Sequence, residues 1–308
     1  MNEFPSVEDL VKEHNLEVLH APCELSKMLI TDKSIDRIGM QLMGFFFIHH
    51  PERFHMMGMM EAAYIETLEP APRREAIKTF FEAGTSGIVI THNASCDPII
   101  LEMAKQYNKL VARTSASPSE YIHDFYYFTS DFFAPYTILS GGFVSVHGEG
   151  ILILGKSGIG KSETAIQLIK RGHRMIADDS VLIKRMPYKY LAGYSPSITE
   201  GFVELRGLGI VNVKAIYGAQ ALQSEEHVSS AVHFVPWEQG ENYDRLGESV
   251  ETMEILGLNI PIVKVPVRPG RDLAAIVEVH ALNQRAKRNG YSAVDEIDAR
   301  QSAEGGNE

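Results

Sequence analysis

The sequence predicts an α/β protein in two parts, an N-terminal α/β domain and a C-terminal domain that sets a phosphate-binding loop among mixed β-strands. Three observations carry this reading. A chain of 308 residues is long enough for about two domains. Its first part alternates helical and strand-like segments. Its second part places a glycine-rich octapeptide between an apolar strand and an amphipathic helix, and most of the sequence beyond that helix is strand-like. The boundary is placed near residue 131, which gives domains over 1–131 and 132–308.

In chain order, Val7 to His14 has the spacing of a short amphipathic helix. Arg73 to Ala83 is helical, Gly87 to Thr91 is a β-branched strand, Pro98 to Tyr107 is helical and Leu110 to Arg113 is a strand, so a βαβ unit is expected. This half shows no catalytic constellation: His49, His50, His55 and His92 are scattered and read as surface or satisfied histidines. A Ser/Pro stretch, Thr114 to Ser119, leads through the aromatic segment Tyr121 to Tyr136 into the second domain. There, strands are expected at Tyr136 to Leu139, Phe143 to Val146 and Ile151 to Leu154. Glu163 to Arg171 is a helix. Strands come next at Met175 to Ala177, Val181 to Lys184, Val228 to Val235 and Val263 to Val267, and Asp272 to Arg288 returns to helix. Beyond Asn289 the composition reads as a disordered tail. A doubly wound nucleotide fold would keep alternating helices with parallel strands, and this sequence does not.

Composition excludes several function classes. With 44% hydrophobic and 22% charged residues the chain is an ordinary globular protein. A net charge of −11 without a Lys/Arg block disfavours nucleic-acid binding. The N-terminus is polar and acidic, unlike a signal peptide, and the most apolar early run, Met40 to Ile48, is about half a membrane span. A cytoplasmic protein without a membrane anchor is expected. Cys23 and Cys96 make neither a disulfide framework nor a zinc site and read as small buried hydrophobes.

The octapeptide is Gly155-Lys156-Ser157-Gly158-Ile159-Gly160-Lys161-Ser162, a full G-x-x-x-x-G-K-[ST] match. Its glycines let backbone N–H groups surround phosphate oxygens, and the helix that begins near Lys161 adds its positive dipole end. Lys161 can reach the β and γ phosphates, and the Ser162 hydroxyl can ligate magnesium. A nucleoside triphosphate with Mg2+ is the expected ligand. The run Arg174 to Ala177 then ends in Asp178-Asp179, an acidic pair suited to metal binding and to orienting an incoming hydroxyl.

Four motifs in order make the pattern specific. They are Gly155 to Asp179, Val203 to Val213 (VELRGLGIVNV), Tyr243-Asp244-Arg245-Leu246-Gly247 and Val265 to Arg271 (VPVRPGR). More loosely, Gly44 to Phe47, His50 to Arg53 and Met57-Gly58 fit the same pattern. With them the sequence resembles the bacterial bifunctional HPr kinase/phosphorylase family over nearly its whole length. The resemblance implies a kinase domain of phosphoenolpyruvate-carboxykinase type, a homohexamer, and a regulatory serine of the phosphocarrier protein HPr as substrate. It also implies a reverse reaction with inorganic phosphate that yields pyrophosphate, and a place in carbon catabolite repression and sugar uptake. Lys161 would bind the transferred phosphoryl group, and Ser162 and Glu204 would hold Mg2+. Asp179 would accept the proton in the kinase direction and return it in reverse, with Asp178 positioning metal or phosphate. Arg245 would stabilise phosphate charge, and Pro266, Val267, Arg268, Pro269, Gly270 and Arg271 would form the loop for dephosphorylation. The N-terminal domain receives no role.

One position departs from the family. Ser140, in Thr137-Ile138-Leu139-Ser140-Gly141, stands where a catalytic histidine is expected, and serine cannot offer an imidazolium charge. His147 is no ready substitute. If one strand ran through both, an offset of seven would put them on opposite faces. A single-direction paralogue, kinase-only or phosphorylase-only, is therefore one alternative reading; a nucleotide sensor without phosphoryl transfer is a second, of a different class, and a small-molecule kinase a third.

Overall fold

The computed structural model describes residues 4–187, 189–238 and 251–305. The chain falls into two compact units, Met1–Phe133 and Ala134–Glu308.

The first unit contains α1 (Val7–Glu13), β1 (Glu17–His20), β2 (Ile35–Arg37), α2 (Gly39–Leu42), β3 (Phe54–Met57), α3 (Met59–Thr67), α4 (Pro70–Ala83), β4 (Gly87–Ile90), α5 (Pro98–Gln106), β5 (Leu110–Arg113) and α6 (Pro118–Ser130). Its sheet runs β1-β5-β4-β3-β2, parallel throughout except for β1. The expected βαβ unit is β4-α5-β5. Helix starts obey local chemistry: Asp97 and Ser117 cap α5 and α6, each with proline at the first turn. The aromatic segment read as an approach to the second domain is largely α6. Its Tyr121 and Phe125, one turn apart, are buried against the sheet with Phe54 and Leu110.

Two expectations for this unit fail. The histidines are not all scattered, because His55 is fully buried and stacks on His49 at 5.2 Å beside Phe80. Cys23 is exposed and Cys96 is only partly buried, so neither is a fully buried core residue; both are free thiols.

The second unit contains β6 (Tyr136–Ser140), β7 (Gly142–Val146), β8 (Glu149–Gly155), α7 (Lys161–Lys170), β9 (Arg174–Ala177), β10 (Ser180–Met186), β11 (Tyr190–Tyr194), β12 (Phe202–Leu205), β13 (Gly209–Asn212), α8 (Val213–Tyr217), β14 (Glu225–Pro236), β15 (Thr252–Ile255), β16 (Leu258–Val267), α9 (Leu273–Arg288) and α10 (Ala293–Gly305). The main sheet runs β6-β10-β11-β14-β8-β7-β9, and β16 joins it against β14. Strands β8, β14 and β16 are mutually parallel, whereas β7 is antiparallel to both β8 and β9. The result is the mixed α/β fold expected, not a doubly wound sheet. Helices α7 and α9 pack on it through Ala165, Leu168, Ala274, Val277 and Ala281.

Of the tail expected to be disordered, Ala293–Gly305 is helical. Ser292 caps α10 through the Asp295 amide at 3.2 Å, and Glu296 pairs with Arg300 one turn on. Good helix formers and a cap outweigh the polar composition that suggested disorder. Among the described residues, no helix is long and apolar enough to cross a membrane.

His55 makes the stability of the first unit depend on pH. Burial, then neighbouring His49, lowers its pKa from 6.5 to about 4, and Nδ1 shares a 2.8 Å hydrogen bond with Thr85 Oγ1. A histidine held neutral in the fold favours the unfolded chain once it can protonate there, so stability falls as pH drops through 6.5 towards 4. The expected loss from His55 alone is about 2 kcal/mol between pH 7 and pH 5. Urea denaturation at the two pH values should show it, and His55→Gln should shrink the difference; an equal pH dependence in the variant would contradict this account.

Candidate active site

The phosphate loop is held by the strand that precedes it. Ile151, Leu152 and Ile153 of β8 are fully buried between the β7 and β14 ladders, and they deliver Gly155 beside Phe234. A Cβ at Gly155, where φ is +145°, would lie 2.7 Å from the Phe234 carbonyl oxygen, so only glycine fits. At Gly158 the left-handed backbone (φ +79°) is what favours glycine, because the neighbouring Arg206 guanidinium is the movable end of a flexible side chain. Gly160, left-handed at φ +109°, is the N-cap of α7, which makes Lys161 and Ser162 its first residues. Ile159 turns into the core, and its amide donates to the Lys156 carbonyl at 3.3 Å. Lys156 and Ser157 are exposed at the loop tip.

Lys161 is only 9% exposed, and its Nζ donates to the carbonyl oxygens of Gly155 (2.9 Å) and Lys156 (3.2 Å). The ammonium therefore lies within the curl of the loop. The Ser162 hydroxyl donates to Asp178 Oδ2 at 2.8 Å. Asp178 comes directly after β9, is 4% exposed, and its Oδ1 has no hydrogen-bond partner. Burial raises its pKa above the usual 3.8, opposed in part by the bond from Ser162.

Asp179 occupies a tight turn. Its φ is +63°, the Ser180 amide donates to the Asp178 carbonyl at 2.8 Å, and the Gly141 amide donates to the Asp179 carbonyl at 3.0 Å. The turn separates two adjacent carboxylates. Asp178 lies under Ser162, whereas Asp179 lines a cleft of about 110 Å³ with Ser157, Lys161, Ser162, Glu204 and Arg206. Glu204 comes from the β12–β13 hairpin. Arg206, from the turn of that hairpin, reaches Ser157 Oγ at 3.3 Å. Arg206 belongs to the family segment Val203 to Val213, whose sequence alone assigns it no place at the loop. Its position two residues beyond Glu204, at Arg-Gly before a second strand, was the available signal.

Pro266 and Val267 end β16, and Val267 pairs with Pro236 of β14. Thus 268–271 and the phosphate loop leave the same edge of the parallel strands, where α/β sheets place ligands. Within 268–271, Gly270 is left-handed (φ +82°) and Arg271 donates to the Pro266 carbonyl at 2.8 Å. Arg268 stacks on Trp237 with its guanidinium carbon 3.6 Å from the ring centroid. Arg245 and its motif Tyr243–Gly247 lie outside the described residues.

Ser140 is exposed at the end of β6 and is paired with Ser180, immediately after the acidic turn. It therefore stands beside the two aspartates. One strand does not run on to His147: β6 pairs with β10, β7 pairs with β8 and β9, and Gly141 lies between them. Ser140 and His147 are therefore not on opposite faces of one strand, because no single strand joins them. His147 is nevertheless remote from Ser140, in the β7–β8 turn at the far end of the strands.

Three hard oxygen donors serve this region: the Ser162 hydroxyl and the Glu204 carboxylate line the cleft, and the buried Asp178, with Oδ1 unpartnered, accepts from Ser162. This set fits a magnesium ion better than a softer metal.

Residues 131–301 match the HPr Serine kinase C-terminal domain and residues 6–129 match the HPr Serine kinase N terminus. The chain belongs to the HPr serine kinase family. The HPr kinase/phosphorylase of Caldicellulosiruptor bescii is 38% identical over 297 residues, 96% of each chain. That of Clostridium perfringens (strain SM101) is 38% identical over 296 residues, 96% of this chain and 95% of its own. The solved Hpr(Ser) kinase/phosphatase from Coxiella burnetii aligns with 52% of this chain and 98% of its own, at 31% identity and a TM-score of 0.48. As a member of the HPr serine kinase family the chain is an enzyme, a phosphotransferase of the protein-serine kinase/phosphorylase kind.

Asp178 yields a prediction opposite to that for an ordinary ion-paired carboxylate. Because the fold raises its pKa, ionisation destabilises the native state; the penalty is largest at neutral pH and shrinks as pH falls through the raised value towards 3.8. Asp178→Asn should therefore melt higher than the parent at pH 7 while losing activity, and the gain should shrink in acid. A variant that melts lower at pH 7 would remove burial as the governing effect.

Proposed function

We propose that this enzyme transfers the γ-phosphoryl group of Mg-ATP to a regulatory serine of HPr, and reverses the modification with inorganic phosphate to release pyrophosphate. The observation that carries the reading is the division of labour between neighbouring carboxylates. Asp178 is buried under the Ser162 hydroxyl, and Asp179 faces the cleft that also holds Lys161. Two acids in unlike surroundings are suited to two tasks.

In the kinase direction, Asp179 accepts the proton of the incoming serine hydroxyl as the oxygen–phosphorus bond forms. The bond to the bridging oxygen breaks, and its electron pair stays on the departing diphosphate. Lys161 and the amides at the start of α7 bind the phosphate oxygens as negative charge spreads over them. In reverse, an oxygen of inorganic phosphate attacks the phosphoserine phosphorus. The serine oxygen leaves, and protonated Asp179 returns the proton to it. Ser162 and Glu204 would hold Mg2+, with Asp178 fixing Ser162; the ion supplies charge neutralisation on the phosphates when bound. Arg245 is assigned to phosphate charge, and Pro266 to Arg271 to the reverse reaction. The stacked Arg268 is suited to meeting the incoming phosphate from that loop.

These roles belong to residues 132–308, and residues 1–131 are given no site. A cytoplasmic homohexamer acting in carbon catabolite repression and control of sugar uptake completes the proposal. A second reading, an enzyme that works in one direction only, is favoured by Ser140, since the site carries a neutral hydroxyl beside the aspartates where the family has an imidazole.

The test uses purified enzyme, HPr, Mg2+ and ATP labelled at the γ position, with a subsequent chase of unlabelled inorganic phosphate. Label on an HPr serine that later appears as pyrophosphate is the expected result. Label that stays on HPr selects the one-direction reading, and Ser140→His should then restore release. No label, with nucleotide still bound, would overturn phosphoryl transfer to HPr. Lys161→Ala should lower the transfer rate by at least ~100-fold, and a rate near that of the parent would refute its role.

A further inference from the structure

Three side chains converge at the end of the second unit away from the phosphate loop. His147 lies in the turn between β7 and β8, His173 in the turn between α7 and β9, and Glu278 on α9. Strand β8 begins just after His147 and reaches Gly155 at its far end, so the cluster is roughly 20 Å from the loop. One ligand atom from each residue lies within 4.8 Å of the other two, and it is the single grouping of this kind among the described residues.

The arrangement within the cluster is specific. His173 is 9% exposed, and its Nε2 meets Glu278 Oε1 at 2.9 Å. The other carboxylate oxygen, Oε2, accepts from Arg171 at 2.5 Å, and a second Arg171 nitrogen bonds Asp272. Arg171 thus orients the carboxylate from behind and leaves Oε1 directed at the imidazole. His147 presents its ring to His173 nearly edge-on, with centroids 4.7 Å apart and planes at 79°. The backbone of the exposed His147 is fixed: it is left-handed (φ +52°), and its carbonyl accepts from Arg285 at 3.2 Å. An ion pair between His173 and Glu278 explains only two members; it gives no partner to the His147 imidazole.

We propose that His147, His173 and Glu278 form a binding site for a divalent transition-metal ion, with zinc preferred. Two imidazole nitrogens and one carboxylate oxygen are a donor set that zinc takes with bonds of about 2.0–2.2 Å, leaving a fourth position for water. Magnesium, which demands oxygen donors, is excluded by the same chemistry. Tetrahedral ligation draws the three atoms closer than 4.8 Å, and rotation of the exposed His147 side chain supplies that movement. The Arg171 contact is the supporting hydrogen bond that a ligating carboxylate needs. Binding would join two inter-element turns to α9 and so staple the helix layer to the end of the sheet. The site does not depend on the reaction proposed above.

The experiment uses the full-length chain, treated with chelator and free of nucleotide, titrated with Zn2+ by calorimetry in excess Mg2+. Co2+ then serves as a spectroscopic probe. The expected result is one tight zinc ion per chain, a rise in melting temperature on zinc addition, and a visible Co2+ band of tetrahedral intensity. His147→Asn is the decisive variant, since asparagine tolerates the left-handed turn while removing the imidazole. It should weaken zinc binding by on the order of 100-fold and abolish both the thermal shift and the Co2+ band, with its metal-free melting temperature unchanged. Glu278→Gln should weaken binding as well. The chain has 12 histidines, so weak binding elsewhere is expected. Zinc binding of equal strength in parent and His147→Asn, or no tight site in the parent, would overturn the proposal.

Discussion

Everything at the candidate active site depends on β8 being buried on both sides. Its apolar residues are locked between two hydrogen-bonded ladders, so its C-terminal end is fixed in space. The phosphate loop inherits that position and passes it to the first turn of α7. From there the constraint spreads outward. Ser162 meets Asp178 because β9 lies beyond β7 in the same sheet, and Asp179 is placed by the turn into β10. A loop on a looser strand could present the same residues but not hold them in register.

The acidic pair shows how little sequence distance governs chemistry. Asp178 and Asp179 are neighbours in the chain, yet a left-handed residue turns one into the interior and leaves the other at the cleft. Strain at that turn is borne by the ladder on either side, where Gly141 and Ser180 donate to the two aspartate carbonyls. A buried carboxylate with one free oxygen is costly in a dry fold. The cation and phosphate proposed for this site would offset that cost.

The strand, loop and helix around Gly155 were legible because glycines, an apolar run and a helix period carry backbone information locally. The βαβ unit of the first half was readable for the same reason. The features that escaped the sequence depend on distant partners. β13 is mostly exposed and has no inward-facing pattern, so its pairing with β12 leaves little trace in composition. The approach of Arg206 to Ser157 joins residues 49 positions apart. The stacking of His49 on His55 joins a residue outside the strands to one within β3. In the tail, a polar composition hid a capped helix whose Glu296–Arg300 spacing was visible. Aromatic residues concealed α6, although Tyr121 and Phe125 had helical spacing.

The stack of Arg268 on Trp237 has a geometric consequence. An indole engages a guanidinium through its flat face, and the N–H donors of a guanidinium lie along its rim. Arg268 can thus remain seated on Trp237 while its edge stays open to an oxyanion. A long, rotamer-rich side chain held this way has already given up much of its freedom before any ligand comes. The loop after β16 therefore carries a cation that is aimed in advance, on a backbone whose own anchor is the same parallel ladder that positions the phosphate loop.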